Sequence, residues 1–347
     1  NTNPEEKAKK STTKHQYTSL DEAEYFPRSL SELNELTPNY GDMPLVVIAR
    51  NKASSEIDNT KARDLVWATL QENIATRSTN STIIFSGARQ HSIHKMQPEI
   101  VIEATGKFKL KEQLQHHIKN GAKSVILSVP PIEDSVKTIV LGVNDTTING
   151  DETIISNASC TTNNAAPMID VIHKNFGIKQ AYITTVHSYT TDQSLHDQPH
   201  PDLRRARAAG QSIVPTTTGA AKALTKIFPS LADVIGGCGI RVPVPNGSLT
   251  DITFNVEKEV SIEEINSVFK KASETYLKRI LQYTEDPIVS IDIVGNKHSC
   301  VFDSQMTSVI GNMVKIIGWY DNETAYSQRL LDLICNLSGK KVLLSNK

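Results

Sequence analysis

The stretch Ile100–Ser128, IVIEATGKFKLKEQLQHHIKNGAKSVILS, decides the fold class of the first part of the chain. Ile100–Ala104 and Ser124–Ser128 are short apolar runs rich in β-branched residues, as buried strands are. Between them Lys109–Lys119 spaces its apolar residues like an amphipathic helix, and Gly121 follows as a stop. Strand, helix and strand in that order predict a parallel sheet, because a helical crossover returns the chain in its original direction. Leu45–Ala49 (LVVIA) repeats the strand pattern upstream. Thr138–Val143 and Ile154–Ile155 repeat it downstream, and Ala165–Asn175 reads as a further helix.

The pattern changes near residue 160. Tyr182–Val186, Ile240–Val244, Leu249–Val256, Ile288–Ile293 and Met313–Trp319 alternate or run apolar with little helix between them. That predicts a mostly antiparallel sheet. Ser261–Ala272 and a final Glu323–Leu337 read as helices. The chain therefore divides into an α/β part and an α+β part, with no internal repeat and no long low-complexity linker.

Composition narrows the function. The 347 residues suit two domains, and 38% hydrophobic against 22% charged residues provides for a packed core. Lys plus Arg number 37 and Asp plus Glu 38, for a formal charge of −1, so no global grip on nucleic acid or an anionic membrane is expected. No apolar run approaches a membrane span. Cys160, Cys238, Cys300 and Cys335 are widely spaced, with no Cys-x-x-Cys pair. A metal site or disulfide framework is not expected, and a reduced, cytoplasmic setting is. Asn1–Lys14 is polar and lacks the apolar segment of a targeting signal, so it reads as a solvated terminus.

Cys160 stands among Ser159, Thr161, Thr162 and Asn163 at the start of a predicted helix. Unpaired N–H groups and positive potential at a helix start favour a thiolate, and a core cysteine rarely has such polar neighbours. His187 ends an apolar strand and precedes Ser188, Tyr189 and Thr190. Alone it reads as a structural histidine; with Cys160 it supplies a base for covalent catalysis. Arg204, Arg205 and Arg207, the run Thr216–Gly219 and Arg241 together suit anions. The first three arginines fit an ordinary solvated helix face equally well. Arg241 does not, because an unpaired charge in the apolar setting GIRVPVP is costly.

These segments resemble the phosphorylating glyceraldehyde-3-phosphate dehydrogenase family. The resemblance rests on SNASCTTN (Ser156–Asn163), TTVHSYTTDQSLHD (Thr184–Asp197), PHPDLRRARAA (Pro199–Ala209), PTTTGAAKAL (Pro215–Leu224), RVPVPNGSLTD (Arg241–Asp251) and WYDNE (Trp319–Glu323). Weaker matches are EATGKF (Glu103–Phe108), GAKSVILS (Gly121–Ser128) and GVND (Gly142–Asp145), and the similarity spans roughly residues 98–337. It implies an α/β Rossmann-like coenzyme domain over 1–159, completed by a C-terminal helix over 323–347. An α+β catalytic domain would occupy 160–322. Cys160 would be the nucleophile and His187 its base and later proton donor. Thr190 and Arg241 would hold the substrate phosphate. Ser159, Thr161, Thr218, Gly219 and Arg205 would line an inorganic-phosphate site, with Asp192 among the phosphate-binding residues. Asn322 would hold the nicotinamide carboxamide, Tyr326 would pack nearby, and Thr105, Gly106 and Ser128 would border the cofactor. The reaction implied is oxidation of glyceraldehyde 3-phosphate to 1,3-bisphosphoglycerate by NAD in glycolysis, in a homotetramer. Erythrose-4-phosphate dehydrogenase and a non-catalytic pseudo-dehydrogenase are the alternatives.

The resemblance has gaps. No Gly-x-Gly-x-x-Gly turn occurs: no glycine precedes Gly41 and none lies between Gly41 and Gly87. Residues 15–40 do not read as a buried strand and phosphate-binding turn. The 159 residues before Cys160 suit a whole coenzyme domain, which favours divergence or a replaced segment over trimming. Arg50, Asn51 and Lys52 follow the first strand where an acidic residue would bind ribose, which suits NADP; Pro199 matches the NAD forms. Asn164 stands where a second cysteine is common, and Thr324–Ala325 where Trp-Gly is usual.

Overall fold

The computed structural model describes residues 45–50, 81–86 and 100–337, the first two segments as backbone alone. The expectations for Asn1–Lys14, residues 15–40, the Arg50–Lys52 side chains and the chain beyond Leu337 lie outside the described residues.

In one compact unit, strands β1 (Leu45–Arg50) and β2 (Ser81–Ser86) pair in parallel, Leu45 opposite Ser81. β2 is not among the expected strands, although its TIIF core carries the same β-branched signal.

The second unit takes in residues 102–118 and 124–337 and holds two sheets. The smaller runs in the order β3 (Ile100–Glu103), β4 (Ser124–Leu127), β6 (Ile154–Ser156) and β5 (Lys137–Thr138). β6 is parallel to both β4 and β5. Val125, Ile126 and Leu127 are wholly buried, as in a sheet covered on both faces. Helix α1 (Lys111–Lys119) crosses between β3 and β4. The expected strand Thr138–Val143 is cut short after Thr138. Asn144 Oδ1 accepts from Val140 N, and its Nδ2 donates to Thr138 O. Side-chain groups thus take the backbone partners that a neighbouring strand would use. Gly142, at φ +80°, completes the turn.

Helix α2 (Cys160–Phe176) is buried along nearly its whole length. It begins five residues before the periodicity suggests, because its buried first turns are polar, Thr161 to Asn164. It packs against the larger sheet, built from β7 (Ile178–Ser188), β8 (Val214–Thr216), β9 (Ile235–Val242), β10 (Ser248–Val256), β11 (Leu281–Thr284), β12 (Cys300–Asp303), β13 (Ser308–Ile310) and β14 (Met313–Tyr320). The order is β11-β12-β14-β10-β7-β9-β8, with β13 beside β14. Pairing is mostly antiparallel, as expected, with β7–β9 and β11–β12 parallel.

Burial alternates strictly along β10, and Ile252, Phe254, Val314 and Ile316 face the covered side. Helices α3 (Ala220–Ile227) and α4 (Ile262–Glu274) pack on β9 and β11. A capping box starts α4: Ser261 Oγ accepts from Glu264 N while the Glu264 carboxylate accepts from Ser261 N. Gly318 on β14 lets α2 approach: a Cβ there would lie 2.7 Å from both Cys300 Sγ and Met168 Sδ. The other face of the sheet is open, with Tyr182 and Met313 exposed beside a cavity of about 460 Å³ that Gly236, Thr253 and Asn255 also line.

Ile288–Ile293 is not a strand. Ser290–Ile293 forms a 3₁₀ turn in which Asp292 Oδ2 accepts from Val289 N, and Ile291 is 72% exposed. Its apolar alternation meets no sheet. The last helix, α5 (Thr324–Leu337), is capped by Asp321, whose Oδ1 accepts from Glu323 N and Thr324 N.

Candidate active site

A sharp turn precedes α2. Ala158 is left-handed (φ 57°) and wholly buried, and its N–H donates to Ser156 Oγ. Ser159 then caps the helix, its Oγ accepting from Thr162 N at 3.1 Å. Cys160 is therefore the first residue of α2, where backbone N–H groups lack helical partners. Its Sγ lies 3.4 Å from His187 Nε2, near the end of β7.

Strand register assembles the surroundings. On the parallel pair β7–β9, His187 faces Arg241; on β10–β14, Ser248 faces Tyr320. Tyr320 OH bonds with Thr161 Oγ1 (2.8 Å) and Thr185 Oγ1 (3.0 Å), and its ring stands edge-on to the His187 ring at 5.9 Å. His187 Nδ1 is 2.8 Å from Ser188 O and 2.5 Å from Arg241 Nη1, which also donates to Ser188 O. These neighbours make opposite demands: the carbonyl needs a proton on Nδ1, the guanidinium a lone pair. The tautomer with Nδ1–H on Ser188 O leaves Nε2 as a base toward Cys160.

Burial dominates the charges. It pushes the Cys160 thiol up, against the opposing pull of Thr161 and Arg241. It pushes the His187 imidazole down to about 4, and the Arg241 cation adds to that. Both shifts work against the thiolate that the helix start favours. Burial also lowers Arg241, while Cys160, Tyr320 and Asp192 act to keep it charged.

Arg205 ion-pairs with Asp192 and donates to Thr216 Oγ1 at 3.0 Å. Its charge and that of Asp192 both reach Arg241. Thr190 lies in the same loop, its carbonyl accepting from Gln193 N. Thr218 Oγ1 accepts from Ala220 N as α3 begins, with Gly219 as the cap residue. The Thr161 hydroxyl is turned inward to Tyr320. Arg204 is exposed, and Arg207 is exposed and paired with Asp197, so these two arginines are solvated as expected, but on a run of turns rather than a helix.

Asn322 Oδ1 accepts from Ser188 Oγ (2.8 Å) and Ser248 Oγ (2.9 Å). Tyr326 OH donates to Ser128 O (2.6 Å) and Ala158 O (3.3 Å), joining the end of β4 to the turn before Cys160. Thr105 N–H and hydroxyl both donate to Glu103 Oε1, and Glu103 Oε2 meets His117 Nε2 at 3.1 Å. Gly106, at φ +70°, has open space where a Cβ would stand. Among the described residues no group of three or more His, Cys, Asp or Glu side chains is arranged for a metal ion, and no helix is long and apolar enough to cross a membrane.

A family profile described as glyceraldehyde 3-phosphate dehydrogenase, C-terminal domain, matches residues 159–322. The chain is 50% identical over 249 residues to a glyceraldehyde-3-phosphate dehydrogenase of Mycobacterium leprae, covering 72% of this chain and 73% of that protein. The chain belongs to this family. Identity is 53% over 241 residues to the glyceraldehyde-3-phosphate dehydrogenase 2 of Streptomyces avermitilis, covering 69% and 72% of the two chains. It is 54% over 247 residues to a glyceraldehyde-3-phosphate dehydrogenase of Borreliella burgdorferi, covering 69% and 73%.

Tyr320, Ser188 and Ser248 have no expected role in the sequence reading. Tyr320 sits inside WYDNE, so its segment is flagged there. The serines gain their partners only through strand register, which local sequence does not carry.

Proposed function

We propose that the protein catalyses the phosphorylating oxidation of glyceraldehyde 3-phosphate to 1,3-bisphosphoglycerate with NAD, the step this family carries out in glycolysis. The approach of Cys160 Sγ to His187 Nε2 at the start of α2 carries the reading.

NAD, when bound, supplies the acceptor for the two electrons lost by the substrate carbon. The described residues suit its nicotinamide end: an anchored amide at Asn322, a tethered Tyr326 beside Ser128, and open backbone at Gly106 near Thr105. Cys160 Sγ bonds to the aldehyde carbon while the thiol proton passes through His187 Nε2 to the carbonyl oxygen, giving a hemithioacetal. His187 Nε2 takes that hydroxyl proton back as the carbon gives up its hydrogen as hydride, two electrons included, to the acceptor and becomes a thioester. Inorganic phosphate then attacks the thioester, the acyl phosphate leaves, and the imidazolium returns its proton to the sulfur. Arg241 and Thr190 hold the substrate phosphate. Arg205, Asp192, Thr218, Gly219, Ser159 and Thr161 serve the second anion; oxidation alone would need one such site.

The Rossmann-like coenzyme domain is assigned to 1–159 together with the C-terminal segment from 323, and the catalytic domain to 160–322. The β3-β4-β6-β5 order before Cys160, with β6 parallel to β4 and β5, and the profile match at 159–322 support this division. The open sheet face around Tyr182 and Met313 suits burial in a homotetramer, and the setting is cytoplasmic.

NAD reduction with glyceraldehyde 3-phosphate, with and without inorganic phosphate, tests the reading. Turnover that requires phosphate is expected. Phosphate-independent turnover, preferring erythrose 4-phosphate, would move the assignment to the hydrolytic enzyme. Absence of saturable NAD or NADP binding would sink the enzymatic reading.

A further inference from the structure

Two buried serines join the two ends of the candidate site. Ser188 ends β7 and Ser248 begins β10; they are 0% and 1% exposed. Both hydroxyls donate to Asn322 Oδ1, and Ser248 Oγ also accepts from Ser188 N at 3.1 Å. The Ser188 carbonyl meanwhile accepts from Arg241 Nη1 and contacts His187 Nδ1. One residue therefore holds the imidazole with its main chain and the Asn322 amide with its side chain. The backbone beside Asn322 is pinned as well: the Asp321 carboxylate accepts from the N–H groups of Gly295, Glu323 and Thr324.

Buried hydroxyls are costly in a sheet unless they are bonded, and these two both donate to one amide. An asparagine side chain rotates about two bonds. Two hydroxyl contacts on one end of its amide stop that rotation before any ligand arrives, so binding carries no ordering cost there.

We propose that Ser188 and Ser248 are positioning residues that fix the Asn322 amide for the carboxamide of the nicotinamide ring. The proposal rests on the reading of the protein as an NAD enzyme with Asn322 at the nicotinamide end. It sets the carboxamide anchor in the same rigid unit as His187, so ring and imidazole keep a constant separation.

The test uses the full chain with Ser188→Ala, Ser248→Ala and the double substitution, each titrated calorimetrically with NAD and with ADP-ribose, which lacks the nicotinamide. The double variant is expected to bind NAD about tenfold more weakly, and each single variant about threefold. ADP-ribose affinity should stay within about twofold, because the loss is confined to the carboxamide contact. The pH profile of Cys160 alkylation should not move in Ser188→Ala, since its carbonyl remains. Equal weakening of NAD and ADP-ribose would make the serines merely structural and overturn the proposal. So would unchanged NAD affinity in the double variant. If that variant does not fold, the NAD to ADP-ribose ratio of the single variants decides. Failure of the unsubstituted protein to bind NAD would instead remove the reading beneath the proposal.

Discussion

His187 and Arg241 face each other across the parallel strands β7 and β9, and Arg241 Nη1 meets the imidazole at Nδ1. A permanent cation thus sits on one side of the ring while the Cys160 sulfur sits on the other. Burial, and after it this neighbouring cation, hold the imidazole pKa down to about 4.

This lowered pKa makes stability depend on pH. In the unfolded chain the imidazole takes up its proton near 6.5, but in the fold only near 4. Between these values the unfolded state binds the extra proton. Stability therefore falls as pH drops from 6.5 through 4, by about 3 kcal/mol from this residue. Urea unfolding at pH 7 and pH 4.5 should show a smaller acid loss for His187→Asn than for the unsubstituted protein. Equal losses would contradict the depressed imidazole.

Alkylation tests the sulfur. With the thiol raised by burial and no imidazolium beside it, the rate of iodoacetate labelling at Cys160 should climb about tenfold per pH unit from 6 to 9. A plateau in the neutral range would reveal a preformed thiolate–imidazolium pair in the unliganded protein. Cys300, buried at the start of β12 with its thiol pushed far up, should label last.

Cys160→Ser should fold normally and lose activity by roughly 10⁴-fold or more, because a serine hydroxyl beside a neutral imidazole forms no thioester. Steady-state turnover with a circular dichroism control measures this. Substantial residual phosphorylation would move the nucleophile elsewhere.

Gly318→Ala should destabilise the fold by about 1–3 kcal/mol, since the new methyl meets Cys300 Sγ and Met168 Sδ at 2.7 Å. The cost should shrink when Cys300→Ala is added, and a double-mutant cycle in urea measures the coupling. An additive pair would mean that the sheet, not the sulfur, had moved.

Much of this molecule is legible in its sequence. Ile100–Glu103, Ser124–Leu127 and Ser248–Val256 carry strand periodicity that tertiary packing had no reason to override. The alternation at Ile288–Ile293 misleads, because Asp292 captures Val289 N and no strand is there to pair. β12 goes unanticipated because its run, CVFD, is buried on both faces and offers no alternation. Cys160 and His187 announce themselves by their neighbours. Their ionisation does not, since the helix start argues for a thiolate and only the enclosing structure reveals the opposing desolvation. Ser188 and Ser248 are ordinary strand letters until the β7–β10 pairing brings them under Asn322.

The Tyr326 hydroxyl, which reaches Ala158 O across 168 residues of sequence, also fixes a timetable for biosynthesis. The turn that aims the sulfur emerges from the ribosome long before its clamp does. A nascent chain halted anywhere short of α5 therefore carries the Cys160 turn without the clamp that the folded protein places on it.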